Sequence, residues 1–190
     1  GTITIDKPLK IVGVSDDPAR CVVELTGSIQ IRPHSGAVML INVTLRRPRR
    51  IPTATSCVYA LSSSLSLFNC VINNDGAAGA AVFVTGKPSS LDAMNTTITG
   101  GATAALATCS ASVRMAVCSL SHNAGIGALL FEGTCALEDV RFHDNGGPCV
   151  SVRGAAAVSL HSCSVTECRS RSGAVDCSEE GILACKMCTG

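Results

Sequence analysis

Several side chains able to take part in general acid–base chemistry occur close together in the second half of the sequence. They are Arg114, Glu138, Asp139, Arg141, His143 and His161. Carboxylates beside a base are the usual requirement for glycosidic-bond chemistry. Glu138 and Asp139, however, are adjacent and should point in different directions from a turn. We therefore expect solvated turn charges here, and retain Glu138, Asp139, Arg141 and His161 only as candidate catalytic residues.

Twelve cysteines provide a second set of groups, which could bind a metal or form disulfides. Cys185-x-x-Cys188 has a metal-ligand spacing, but the two side chains should face opposite sides of a strand, so no metal site is predicted. Cys70, Cys118, Cys163 and Cys185 occur at one repeated position and are predicted to form a column of buried, mainly reduced thiols. The alternative is disulfide formation, for which Cys163–Cys185 is the favoured pair.

A dense run of positive charge, Arg46-Arg47-Pro48-Arg49-Arg50, occupies the longest segment between two repeats. We expect Arg46, Arg47, Arg49 and Arg50 to lie on an exposed loop that contacts a protein partner, an acidic surface or a lipid. A merely solvated loop is the alternative. The net charge of the whole chain is only +1 and aromatic residues make up 3%, which argues against a nucleic-acid partner. No apolar run approaches the roughly 18 residues of a transmembrane segment.

A sequence repeat of 22–27 residues positions all of these groups. Its seven copies end at apolar residues, namely Leu45, Ile72, Ile98, Leu120, Phe142, Val165 and Met187. Within each copy, apolar residues alternate with period two over two short stretches, which predicts two strands joined by a bend. A third short apolar stretch precedes each copy. Asn42, Asn69 and Asn95 occupy the bend of three consecutive copies, and asparagine tolerates the left-handed backbone that a tight turn needs.

Three short strands per repeat, Gly- and Asn-rich turns and no helical period are typical of a parallel β-helix. The sequence resembles the pectin-lyase-like β-helix superfamily over essentially its whole length. The segment 2–13 is similar to the initial coil of these proteins, and the Asn42/Asn69/Asn95 column to their internal asparagine ladder. We predict an all-β, single-domain right-handed parallel β-helix of about seven to eight coils, with an initial coil over 1–26 and the repeats over 27–190. A leucine-rich repeat is disfavoured because the copies lack its Leu-x-x-Leu helical stretch.

These motifs define a fold and leave the function open. The calcium-binding aspartate clusters and catalytic arginine motif of the superfamily have no counterpart here, so we expect no cofactor. We expect a non-enzymatic structural or interaction module that is a subunit or domain of a larger protein assembly, because uncapped coil ends need a partner to cover their strand edges. The alternative is a polysaccharide-binding or polysaccharide-degrading β-helix that uses the face from Arg114 to His161.

Overall fold

The chain winds into a parallel β-helix in the computed structural model, which describes residues 1–48, 56–75, 77–168, 174–178 and 180–189. Equivalent strands of successive coils pair in parallel and build two sheets that run along the helix axis. The described residues make seven complete coils and part of an eighth. The predicted fold class is therefore confirmed.

Within the described residues, the larger sheet has 13 strands because it includes two of the three sides of each coil. Strands on the first side are β1 (Ile3–Ile5), β4 (Ile29–Ile31), β7 (Val58–Leu61), β10 (Val82–Thr85) and β19 (Val175–Cys177). Strands on the second side are β2 (Leu9–Val12), β5 (Ala37–Ile41), β8 (Ser64–Phe68), β11 (Ser90–Met94) and β20 (Ile182–Lys186). Both sides are covered by one long strand in β13 (Ala104–Ala116), β15 (Ile126–Glu138) and β17 (Val150–His161).

The smaller sheet, with seven strands in the part of the chain that the structure describes, forms the third side of the coils. Its strands are β3 (Val22–Glu24), β6 (Thr44–Arg46), β9 (Val71–Asn73), β12 (Thr97–Thr99), β14 (Ser119–Ser121), β16 (Arg141–His143) and β18 (Ser164–Thr166). We number the coils so that β3 completes coil 1 and β18 completes coil 7. A single turn of 3-10 helix, Pro18–Arg20, precedes β3. None of the described segments forms a helix with the length and hydropathy of a membrane span.

Apolar side chains at equal positions of successive coils stack into inward columns, as the repeat predicts. One column contains Leu40, Leu67, Ala93, Met115, Leu137 and Leu160, each at most 4% exposed. Burial of one such leucine contributes roughly 2 kcal/mol. The columns meet in one hydrophobic core that extends along the solenoid, so the inside of each coil supplies stability and the outside carries the polar groups.

Coils 5–7 differ from the prediction of three short strands per coil, because their first two strands are fused. The chain still turns inside the long strands, at Ser110 and Glu132, where φ is 56° in both, and at Gly154, where φ is also 56°. The turn brings neighbouring coils very close: a Cβ added to Gly133 would lie 2.2 Å from the backbone oxygen of Ala111. Glycine is therefore required at this corner.

The last repeat is displaced from its predicted alignment. The sequence pattern placed Cys185 beside Cys163, an offset of 22 residues. In the structure Leu160 pairs with Cys185, which brings Cys188 into register with Cys163. The spacing of the preceding copies favoured an offset of 22 residues, whereas strand pairing gives an offset of 25 residues.

The predicted asparagine ladder forms at the corner between the second and third sides. Asn42, Asn69 and Asn95 have φ values of 54°, 51° and 49°. The Asn95 side-chain amide donates to Asn69 Oδ1 over 2.9 Å, and that of Asn69 donates to Asn42 Oδ1 over 2.9 Å. Asn42 and Asn69 are half-buried and Asn95 is exposed. The ladder therefore lies at the outer edge of the corner rather than inside the coil.

Candidate functional site

The predicted acid–base residues lie on different sides of the helix. Glu138 and His161 are neighbours on the second side, where β15 pairs with β17. Asp139 occupies the left-handed corner with a φ of 51°, and Arg141 begins β16 on the third side. The corner separates Glu138 and His161 from Arg141. The four candidates therefore do not share one face, and their catalytic role stays a prediction.

The arginine run is divided between the surface and the interior. Arg46 ends β6, is exposed, and forms an ion pair with Glu24. Arg47 is fully buried, and its Nη1 donates to Asn74 Oδ1 over 3.3 Å. Arg49 and Arg50 lie outside the described residues. The expectation of one exposed loop is therefore wrong for Arg47, because the alternation along β6 continues past its end: Leu45 is buried, Arg46 is exposed and Arg47 is buried again.

Three of the four predicted column cysteines are buried free thiols, namely Cys70, Cys118 and Cys163. Each thiol donates to two backbone carbonyls; the Cys118 sulfur lies 3.2 Å from Ala116 O and 3.5 Å from Ala93 O. Burial raises the pKa of Cys118 to about 11. These thiols are kept protonated at neutral pH, so they pack as small apolar groups.

The prediction for the fourth cysteine was wrong. Cys185 is exposed and free, so the favoured Cys163–Cys185 disulfide is absent. The displaced register puts Cys188 at the next position of the column, where its thiol donates to Leu160 O over 3.7 Å. The disulfide that does form joins Cys149 to Cys168, which sequence analysis did not single out.

The outward side of the seven-stranded sheet, which we call the third-side face, is lined mainly by short hydroxyl side chains. They include Thr97, Thr99, Ser119, Ser164 and Thr166. Two open grooves of about 580 Å³ each lie along its edges. The first groove is lined by Asp75, His122, Asp144 and Glu167, among others, and the second by Asn95, Ser119, Asp139 and Arg141, among others.

Two histidines and a carboxylate meet at the edge of the first groove. Asp144 Oδ2 lies 2.7 Å from His143 Nδ1 and 3.5 Å from His122 Nε2. The opposite ring nitrogen of His143, Nε2, lies 3.2 Å from Ser119 Oγ. The pKa of Asp144 is lowered, first by the hydrogen bond from His143 and then by one shared with Glu167. This cluster is the densest group of ionisable side chains on the third-side face among the described residues.

His143 was among the predicted acid–base residues, whereas His122 and Asp144 were not. A signal was present, because His122, Asp144 and Glu167 each follow the last residue of a repeat by two positions. All three adopt left-handed backbone, with φ values of 54°, 55° and 53°. Left-handed turns at equal positions stack in successive coils, so their side chains project side by side.

Comparison with known protein families supports the architecture. A family described as right handed beta helix region matches residues 27–184. No curated protein and no solved structure gives a significant match to the chain.

Proposed function

The chain belongs to the right-handed beta helix family, and on this premise we propose that it is a non-enzymatic protein-interaction module within a larger assembly, with the third-side face as its binding surface. The form of that face is the observation that supports the proposal most. Seven strands in register present a flat polar strip about 30 Å long, at about 4.8 Å per strand. Solenoid proteins use extended surfaces of this kind to bind partners.

Charge on the third-side face indicates what the partner must carry. Arg46 and Arg141 are exposed near opposite ends of the face. The rim of the first groove is acidic, with Asp75, Asp144 and Glu167. A complementary protein surface would place carboxylates opposite the arginines and basic side chains opposite that rim. Such pairing would give orientation and association rate more than raw affinity.

The division of the catalytic candidates favours binding over catalysis. Glu138 and His161 lie on the second side and Arg141 on the third, with the left-handed corner at Asp139 between them, so the candidates are not grouped around one site. An acidic polysaccharide is the alternative ligand, since it would use the same exposed arginines. It differs from a protein partner in carrying no basic groups for the acidic rim.

Site-specific photo-crosslinking tests the proposal. A photoreactive amino acid is placed at Thr99 on the third-side face or, as a matched control, at Ser159 on the outward side of β17. We expect one protein to be crosslinked in stoichiometric yield from Thr99 and not from Ser159. Arg141→Ser should weaken that binding and its salt dependence, whereas Arg114→Ser, on the second side, should leave both unchanged.

Three results would overturn the proposal. They are equal crosslinking from Thr99 and Ser159, no protein crosslinked from Thr99, or equal effects of Arg141→Ser and Arg114→Ser. Saturable binding or depolymerisation of a polyuronate by the purified protein would instead support the polysaccharide alternative.

A further inference from the structure

The turns that follow the strands of the third side bring ionisable side chains into one column. Gly100, His122, Asp144 and Glu167 all have left-handed backbone two residues after the end of a repeat, and Asp75, one residue further along its own turn, is left-handed as well. His122 and Asp144 belong to adjacent coils, and His143 lies next to Asp144 at the end of β16. The two imidazole rings meet edge to face, with centroids 5.3 Å apart.

We propose that His122, His143 and Asp144 form a binding site for Zn²⁺ or a chemically similar divalent transition-metal ion. One ligand atom from each residue lies within 4.8 Å of the other two. Among the described residues, this is the one group of three histidine, cysteine or acidic side chains that meets this condition. The metal site does not rest on the proposed protein-interaction function, although both use the Asp144 carboxylate.

The distances suit a small metal ion. Zinc binds histidine nitrogen and carboxylate oxygen at about 2.0–2.2 Å, so two ligand atoms of a tetrahedral site lie about 3.3 Å apart. The His122 Nε2 to Asp144 Oδ2 distance is 3.5 Å, and that from His143 Nδ1 to the same oxygen is 2.7 Å. The first distance already suits a shared ion, the second would have to open by about 0.6 Å, and the two histidine nitrogens lie within 4.8 Å of each other.

The ligand types select the class of metal. Two imidazole nitrogens and one carboxylate suit zinc, copper, nickel or iron, whereas calcium and magnesium require oxygen ligands. The site opens onto the first groove, and the side chains of His122 and Asp144 are 66% and 39% exposed. The ion can therefore reach it from solvent, and water or the Glu167 carboxylate can supply a fourth ligand.

Ser119 provides a hydrogen-bond acceptor for the ring nitrogen of His143 that would not bind the metal. Metal-binding histidines usually donate their second ring N–H to a neighbouring acceptor, which fixes the ring. When Nδ1 binds the ion, the imidazole keeps its one proton on Nε2, which donates to Ser119 Oγ, now 3.2 Å away. Ser119 is therefore a positioning residue. It lies in β14, which pairs directly with β16, so its distance from His143 is set by the sheet.

Metal titration of the purified chain tests the site. The chain is first treated with a chelator, and its exposed thiols, Cys177, Cys185 and Cys188, are alkylated so that they cannot bind zinc. Zn²⁺ binding is then followed by calorimetry, and Co²⁺ binding by visible absorption. We expect one equivalent to bind, with Ca²⁺ binding far more weakly.

Variants identify the ligands. His122→Ala and Asp144→Asn should each weaken Zn²⁺ binding by more than about 100-fold, and Ser119→Ala by about 10-fold. His161→Ala is the matched control, because His161 lies on the second side, and it should leave the affinity unchanged. Circular dichroism and thermal unfolding establish that each variant folds. Asp144→Asn keeps the shape of the side chain, so it still tests the site if His122→Ala does not fold.

The proposal is refuted by any of three results. They are no saturable Zn²⁺ binding, unchanged affinity in His122→Ala and Asp144→Asn, or an equal loss in His161→Ala. Calcium binding as tight as zinc binding would refute the assignment to a transition metal.

Discussion

Asn69 is the central member of the corner ladder, and its replacement should destabilise the protein measurably. Its side-chain amide donates to Asn42 Oδ1 over 2.9 Å and to Asp16 O over 2.6 Å, and its Oδ1 accepts from Asn95 over 2.9 Å. Its φ of 51° lies in the left-handed region. Two separate contributions can therefore be lost at this position, the hydrogen bonds and the tolerance of left-handed backbone.

The expected magnitudes follow from these contacts. Each of the three hydrogen bonds has a net contribution of about 1 kcal/mol. Because the freed groups of Asn95 and Asp16 can hydrogen-bond to water instead, Asn69→Gly should lower the free energy of unfolding by about 2 kcal/mol. Asn69→Ala loses the same bonds and keeps a Cβ in the left-handed region without the local hydrogen bonding by which asparagine tolerates it, so it costs about 1 kcal/mol more than the glycine variant. Asn95→Gly, at the end of the ladder, removes only the bond to Asn69 and should cost about 1 kcal/mol.

Urea unfolding of the three variants and the wild type, followed by circular dichroism, measures these differences. The expected order of destabilisation is Asn69→Ala, then Asn69→Gly, then Asn95→Gly. Wild-type stability in Asn69→Gly would show that the ladder bonds contribute nothing. Equal stability of Asn69→Ala and Asn69→Gly would show that the corner does not hold left-handed backbone in solution.

Two further predictions concern the cysteines. The native protein is treated briefly with iodoacetamide at pH 8, and the modified cysteines are identified by mass spectrometry. The exposed Cys177, Cys185 and Cys188 should react, whereas Cys57, Cys118 and Cys135 should not, because burial raises the pKa of these three thiols. Modification of Cys135 as fast as Cys185 would contradict the packing described. The free energy of unfolding should fall above pH 9, since the unfolded thiols ionise near 9.0 whereas Cys57 and Cys118 stay protonated until about 12 and about 11. The free energy of unfolding should fall by at most about 1.4 kcal/mol per pH unit for each thiol. Chemical denaturation at several pH values should show a smaller dependence of this free energy on pH in the Cys57→Ala/Cys118→Ala variant. The same dependence on pH in the variant and the wild type would count against the burial of these thiols.

The fold could be predicted from the sequence because its determinants are local and repeated. Leu40, Leu67 and Leu137 fall at the same position of their repeats, and alternation with period two states which side of a strand faces inward. Asn42 and Asn69 mark the corner in the same way, since asparagine accepts the left-handed backbone that the bend needs. Because every copy carries the same pattern, a deviation in one copy does not change the predicted fold.

The last repeat shows where this redundancy ends. Its alignment assumed the spacing of the preceding copies, which places Cys185 rather than Cys188 in the cysteine column. The pairing of Leu160 with Cys185 settles the register, and pairing with a preceding coil is a contact between distant residues that periodicity does not contain. The Cys149–Cys168 disulfide was not predicted for the same reason, because it too depends on a contact that the periodicity does not contain.

The repeat pattern is enough to predict the solenoid, its inward columns and its asparagine corner, because equal offsets in successive repeats become neighbours once the coils stack. Which polar groups meet depends on how the coils are folded in space. The tertiary structure separates Glu138 from Arg141 by a corner, buries Arg47, and joins His122 of one coil to Asp144 of the next. The physical reason is that a side chain's partners depend on the direction in which its backbone points, and a left-handed turn changes that direction without altering the repeat in the sequence.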